Sequence, residues 1–128
     1  MKRLALFLAL IGCVGLAVPA SAHNVFRKPR VGVTGEIYKF RGTQWQPNAT
    51  VYWEYYARPR DDNYIQEGTV QTGRRGRFRF LFRDFNLGRH KMCFAQIDTR
   101  YPARAAGTAP MGRLFRECKR YRVFGTDF

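Results

Sequence analysis

Hydrophobic and polar residues alternate along much of the chain with a period of two, which is typical of β-strands that bury one face. The clearest run is the one in which Phe78, Phe80 and Phe82 alternate with Arg77 and Arg79. This run predicts a strand with an aromatic inner face and a cationic outer face. Similar alternation predicts two strands whose buried faces carry Val31, Val33 and Ile37 in one and Val51, Trp53 and Tyr55 in the other.

Weaker alternation predicts further strands at 64–71, 90–98 and 117–124. Clusters of glycine, proline, asparagine and aspartate lie between the runs, for example at 59–63 and 86–88, and they predict turns. No segment has a convincing helical repeat of 3.6 residues. Because many short strands separated by turns are typical of sandwiches, we expect an all-β fold, a single antiparallel β-sandwich of about seven strands.

One long segment does not fit the alternation of short strands and turns. Residues 99–113 contain two prolines, two glycines and three arginines, with few residues that could be buried. Segments of this kind are usually functional loops or surface insertions. The sequence leaves both interpretations open.

The composition describes a small and strongly basic protein. The 128 residues include 23 basic and 9 acidic side chains, which give a formal net charge of +14. Hydrophobic residues make up 45% of the chain, which is enough for a packed core and argues against intrinsic disorder. We therefore expect one folded domain whose surface favours anionic partners.

The first 22 residues have the features of a secretory signal peptide. Lys2 and Arg3 precede an apolar run from Leu4 to Val18, and Ala20-Ser21-Ala22 matches the small-residue cleavage rule. We expect cleavage after Ala22, a mature domain at 23–128, and secretion to the extracellular space or to a bacterial periplasm. The alternative is a lipoprotein signal that would leave a lipidated Cys13. The apolar run is too short for a membrane-spanning helix.

Two cysteines remain after removal of the signal peptide, Cys93 and Cys118. An even number of cysteines in a small exported domain favours a disulfide. We therefore expect Cys93 and Cys118 to be bonded to each other.

Arginine dominates the basic residues, with 18 arginines against 5 lysines. Arginine binds phosphate, sulfate and carboxylate groups in a bidentate manner, which lysine cannot do. If the strands near residues 78 and 120 share one sheet face, their outward side chains form a cationic binding surface. Its candidate binding residues are Arg74, Arg75, Arg77, Arg79, Arg83, Arg116, Lys119, Arg120 and Arg122.

Several short motifs resemble the nematode transthyretin-like family of small secreted β-sandwiches. They are Val31-Gly32-Val33-Thr34-Gly35-Glu36-Ile37, Asn48-Ala49-Thr50-Val51, the segment 61–68, Gly76-Arg77-Phe78, His90-Lys91-Met92-Cys93 and Cys118-Lys119-Arg120. The resemblance implies a transthyretin-like sandwich. The second choice of family is the immunoglobulin-like domain. Its entry pattern is similar to Gly42, Trp45, Pro47, Ala49 and Val51 of this chain.

The sequence offers little support for catalysis. Transthyretin-fold hydroxyisourate hydrolases carry a C-terminal Tyr-Arg-Gly-Ser element, whereas this chain has Tyr121-Arg122-Val123-Phe124. The sequence has no carboxylates paired at a spacing useful for catalysis, no nucleophile motif and no phosphate-binding loop. We expect a protein that is not an enzyme and that needs no cofactor.

A mature N-terminus at His23 would place an α-amine beside an imidazole, a pair that can chelate copper. His90 is the other histidine of the chain, and Met92 or Met111 could add a soft ligand. The ordinary interpretation is that neither histidine binds a metal.

The sequence therefore predicts a secreted binding protein that uses an arginine-rich sheet face. The expected partner is a glycosaminoglycan, an anionic lipid surface or an envelope polymer. Specific nucleic-acid binding is not expected, since no nucleic-acid recognition motif is present. The alternative is a structural or assembly subunit of an extracellular or envelope complex, and copper binding is a third possibility.

Overall fold

The computed structural model describes residues 22–102 and 112–126, so the predicted signal peptide lies almost entirely outside the described residues. Every regular element in these ranges is a β-strand. The strands are β1 (Asn24–Lys28), β2 (Val31–Val33), β3 (Ile37–Thr43), β4 (Thr50–Tyr56), β5 (Gln66–Gln71), β6 (Phe78–Arg83), β7 (Gly88–Pro102) and β8 (Gly112–Phe124).

The strands form two sheets that pack face to face. One sheet has three strands in the order β1-β3-β6, and the other has five in the order β2-β8-β7-β4-β5. The predicted all-β sandwich is confirmed. The prediction of purely antiparallel sheets is wrong in one detail, because β2 pairs with β8 in parallel and makes the larger sheet mixed.

Aromatic side chains from both sheets fill the space between them. Phe40 and Phe78 of the small sheet contact Phe94 of the large sheet, with ring centroids 5.4 and 5.1 Å apart. Trp45 seals one end of this core with its ring 5.3 Å from that of Phe78. Each buried ring of this kind contributes roughly 1.5–3 kcal/mol through removal of apolar surface from water.

The predicted inner faces of β4 and β6 are correct, whereas that of the first predicted strand is wrong. Val31, Val33 and Ile37 are exposed, and Tyr38 and Phe40 are buried instead. A turn at Gly35, which has a φ of 83°, splits this segment into β2 and β3. The single alternating pattern across residues 31–37 therefore did not correspond to one strand.

The two longest strands form a hairpin that shortens the predicted 99–113 loop. Residues 99–102 continue β7, and residues 112 and 113 begin β8. The amide oxygen of Gln46 accepts the backbone N–H of Thr99 at 2.6 Å, which holds this extension in place. The rest of the predicted loop lies outside the described residues.

Cys93 and Cys118 face each other in this hairpin and form a disulfide. The predicted pairing of the two cysteines is therefore confirmed. The link ties β7 to β8, the strands that carry much of the site described below.

Candidate anion-binding pocket

A cavity of about 770 Å³ opens at the surface where β1, β7, β8 and the connection between β4 and β5 meet. Its lining is dominated by one residue type, since seven of its eleven lining residues are arginines. These are Arg27, Arg30, Arg58, Arg60, Arg89, Arg120 and Arg122. The remaining lining residues are Val31, Pro59, Asp61 and Tyr121. We call this cavity the arginine pocket.

The fold brings these arginines together from distant parts of the sequence. Arg89 of β7 lies opposite Arg122 of β8 in the antiparallel pairing, so their side chains share one face. The backbone N–H of Arg122 donates to the carbonyl oxygen of Arg30 at 3.0 Å, which fixes the β1–β2 connection beside β8. Arg58 and Arg60 enter from the other side, on the connection that follows β4.

The positive charge of the arginine pocket is not neutralised within the described residues. Among them, the ion pairs within 4 Å join Arg100 to Asp98 and Arg116 to Glu54, and His23 and His90 contact Asp98 and Asp84. None of these contacts involves one of the seven pocket arginines. Asp61 is the one acidic residue in the described lining. An anion that enters the pocket would therefore meet guanidinium groups that are free to bind it.

Arg27 is the pocket arginine that most clearly lacks a partner for its guanidinium group. Its Nε atom is buried and has no hydrogen-bond partner among the described residues. Burial, and then the neighbouring charge of Arg30, lower the pKa of the Arg27 guanidinium from its usual range. A buried donor without a partner costs free energy, and an anionic acceptor would remove that cost.

The predicted single cationic face across β6 and β8 does not exist, because these strands belong to different sheets. Arg120 and Arg122 of β8 line the arginine pocket. Arg77 and Arg79, before and on β6, instead line a second cavity of about 510 Å³ together with Arg41. The remaining candidates of this group, Arg74 and Arg75, are exposed in the turn between β5 and β6.

The other predicted binding residues also lie outside the arginine pocket. Arg83 ends β6 and pairs with β3. Arg116 donates to the Tyr56 hydroxyl at 2.6 Å and lies 3.7 Å from a carboxylate oxygen of Glu54. Lys119 lines a separate cleft between β1 and β8. Of the nine predicted binding residues, two therefore contribute to the arginine pocket.

Five pocket arginines escaped the sequence analysis, namely Arg27, Arg30, Arg58, Arg60 and Arg89. They lie in short basic segments outside the two arginine-rich runs near residues 74–83 and 116–122. A local signal exists in Arg58-Pro59-Arg60 and in Lys28-Pro29-Arg30, where basic residues flank a turn-forming proline.

The structure does not bring the two histidines together. His23 is buried and its Nε2 atom lies 2.7 Å from a carboxylate oxygen of Asp98. Burial lowers the pKa of His23, an effect that the hydrogen bond to Asp98 partly opposes. His90 lies eight positions before Asp98 on β7, which is roughly 26 Å along an extended strand. Met92 belongs to the core, and Met111 lies outside the described residues.

Metal ligands are also scarce elsewhere in the described part of the chain. It contains no group of three or more histidine, cysteine, aspartate or glutamate side chains that could hold a metal ion. A copper site made by His23 and His90 is therefore not assembled.

A buried polar network lies directly behind the arginine pocket. The Tyr121 hydroxyl donates to Oδ2 of Asp84 at 2.7 Å, and the Tyr55 hydroxyl donates to Oδ1 at 3.3 Å. Burial, and then the hydrogen bond to Asp84, raise the pKa of Tyr121. Burial raises the pKa of Tyr55 as well. Both phenols therefore keep their protons and act as hydrogen-bond donors.

These observations define an all-β sandwich with an arginine-lined surface pocket. Comparison of the chain with protein-family models, with curated proteins and with solved structures finds no match. The resemblance to transthyretin-like proteins therefore stays a prediction. The described residues include no helix that is long and apolar enough to cross a membrane.

Proposed function

We propose that this protein is a secreted, non-enzymatic binding protein that holds an anionic partner in the arginine pocket. The observation that carries the proposal is the convergence of seven arginines that make no ion pair within the described residues. The Cys93–Cys118 disulfide is compatible with secretion.

The size and chemistry of the pocket favour a ligand with several anionic groups. A volume of about 770 Å³ is within the range of sites that hold a whole small molecule or a segment of a polymer. Guanidinium groups from β1, β7, β8 and the β4–β5 connection approach from different directions. Sulfated or phosphorylated sugars, anionic lipid head groups and envelope polymers present matching groups of this kind.

The lining offers few groups that could carry out a reaction. The described lining residues include no histidine, cysteine, serine or threonine. The raised pKa of Tyr121 makes its phenol a poor general base. Asp61 is the remaining ionisable group of suitable type, and it has no acid–base partner in the lining. This composition supports binding rather than catalysis.

The test compares two pairs of charge reversals that change the net charge by the same amount. In the first variant Arg120→Glu and Arg122→Glu remove two guanidinium groups from the pocket. In the control Arg77→Glu and Arg79→Glu make the same change on the opposite sheet. All four side chains are exposed, so both variants should fold.

We expect the pocket variant to bind heparin at least about tenfold more weakly than the control, because it places carboxylates in an anion site. The measurement is isothermal titration with a heparin oligosaccharide at several salt concentrations. Wild-type affinity should fall steeply with rising salt. Equal losses in both variants would show that net charge alone attracts heparin, and the proposal would be wrong.

A further inference from the structure

One end of the sandwich presents a group of exposed apolar side chains, which we call the apolar tip. It consists of Val33, Ile37, Phe85, Leu87 and Phe124. Phe85 and Leu87 are the most exposed of the five, with relative exposures of 67% and 63%. Neighbouring apolar side chains that stay exposed in this way often mark an interaction surface.

Backbone hydrogen bonds hold the three segments of the apolar tip together. The N–H of Gly35 donates to the carbonyl oxygen of Asp84 at 2.8 Å, and the N–H of Thr34 donates to that of Phe124 at 2.8 Å. The Thr34 hydroxyl donates to the carbonyl oxygen of Phe85 at 3.0 Å. The tip is therefore one joined surface rather than three separate loops.

The loop that carries Phe85 and Leu87 is anchored from inside the protein. The buried Asp84 carboxylate accepts the backbone N–H of Asn86 at 2.9 Å. An imidazole nitrogen of His90 lies 2.7 Å from the carbonyl oxygen of Asn86. These bonds fix the loop backbone and keep the two apolar side chains directed away from the core.

Arginines surround the apolar tip. Arg83 precedes the loop, Arg89 follows it, and the guanidinium of Arg122 lies 4.4 Å from the centre of the Phe124 ring. In the three described segments of the tip, Glu36 is the exposed acidic residue. Arg89 and Arg122 also line the arginine pocket, so the apolar surface and the cationic surface are continuous.

We propose that the apolar tip inserts into the surface of an anionic lipid membrane while Arg83, Arg89 and Arg122 bind lipid phosphate groups. Projecting apolar side chains with a collar of arginines match the boundary between acyl chains and anionic head groups. This inference rests on the proposed function and narrows its partner to a lipid surface.

The test is co-sedimentation of the mature protein, residues 23–128, with vesicles that contain equal amounts of phosphatidylglycerol and phosphatidylcholine. Vesicles of phosphatidylcholine alone provide the neutral comparison. Phe85→Ser and Leu87→Ser remove the two most exposed apolar side chains. Leu114→Ser is the matched control, because Leu114 is also 63% exposed and lies near the opposite end of β8. Circular dichroism establishes that each variant is folded.

We expect the wild type and the Leu114→Ser variant to bind the anionic vesicles alike and the neutral vesicles weakly. The double tip variant should bind the anionic vesicles at least about tenfold more weakly, since loss of partial burial of two large side chains costs at least that factor. Its heparin affinity should be unchanged, because the arginine pocket is intact.

The inference is overturned if the tip variant and the control bind the anionic vesicles equally. It is also overturned if the wild type does not bind vesicles but forms dimers that the tip substitutions abolish. In both cases the heparin titrations of the arginine variants still test the proposed function independently.

Discussion

Tyr121→Phe removes a single hydroxyl group from the network behind the arginine pocket. That hydroxyl is the hydrogen-bond donor to Oδ2 of Asp84, a carboxylate that is 1% exposed. The other carboxylate oxygen keeps two partners, the Asn86 backbone N–H and the Tyr55 hydroxyl. The substitution therefore leaves one oxygen of a buried carboxylate without a direct donor.

The size of the expected loss comes from this unsatisfied oxygen. A hydrogen bond to a charged group contributes about 1.5–3 kcal/mol, and the buried acceptor left behind adds its own cost. We expect the free energy of unfolding to fall by about 2–3 kcal/mol. Tyr38→Phe is the matched control, because the Tyr38 hydroxyl is also buried but donates to a neutral acceptor, the backbone carbonyl of Arg122, at 2.9 Å. Its loss should be about 1 kcal/mol.

Urea denaturation followed by tryptophan fluorescence measures both variants. The two losses of unfolding free energy differ by about 1–2 kcal/mol. For a domain of this size, that difference corresponds to a difference in Tm of roughly 4–16 °C between the two variants. The slope of the unfolding free energy against urea should stay constant, because the exposed area does not change. Equal losses in the two variants would refute the reasoning. They would mean that the Asp84 oxygen does not depend on the Tyr121 hydroxyl.

Two further predictions concern the stability of the fold. Replacement of Cys93 and Cys118 by serine should lower the free energy of unfolding by about 3 kcal/mol, because the disulfide restricts the unfolded chain. Thermal unfolding measures this loss, and two titratable thiols in unreduced wild-type protein would contradict the prediction. Stability should also fall as the pH drops below about 6.5, because the lowered pKa of His23 means that the unfolded chain takes up a proton more readily than the folded one. In urea titrations from about pH 7 to pH 5, a His23→Gln variant should lose part of this dependence, and an unchanged pH profile would contradict the assignment.

The sequence predicted strands well where one face is apolar throughout. The three phenylalanines of β6 alternate with outward residues, so both the strand and its buried face were correct. The pattern of β7 was weaker because its buried face carries His90, Gln96 and Asp98. These polar side chains are buried at little cost because each finds hydrogen-bond partners from other parts of the chain, such as the backbone N–H of Gln46 for Gln96. Such partners cannot be identified from the alternation of residue types.

The arginine pocket was only partly predictable for a different reason. Arginines that are close together in the sequence were easy to find, but strand order decides which of them meet in space. Arg79 and Arg120 lie on different sheets, whereas Arg30 and Arg122 meet through the parallel pairing of β2 with β8. That pairing depends on a three-residue strand, which carries too little pattern for its partner to be inferred.

The alternation along β8 couples the arginine pocket to the core. Tyr121 and Val123 are buried between the sheets, so Arg120 and Arg122 must point to the opposite face of the strand. A slip of one residue in the pairing would turn the arginines inward, and the cost of burying two unpaired charges excludes it. Burial of the aromatic and aliphatic side chains thus holds like charges together at the surface, although they repel one another. Burial of the core offsets that repulsion, and an anion bound in the arginine pocket would relieve part of it.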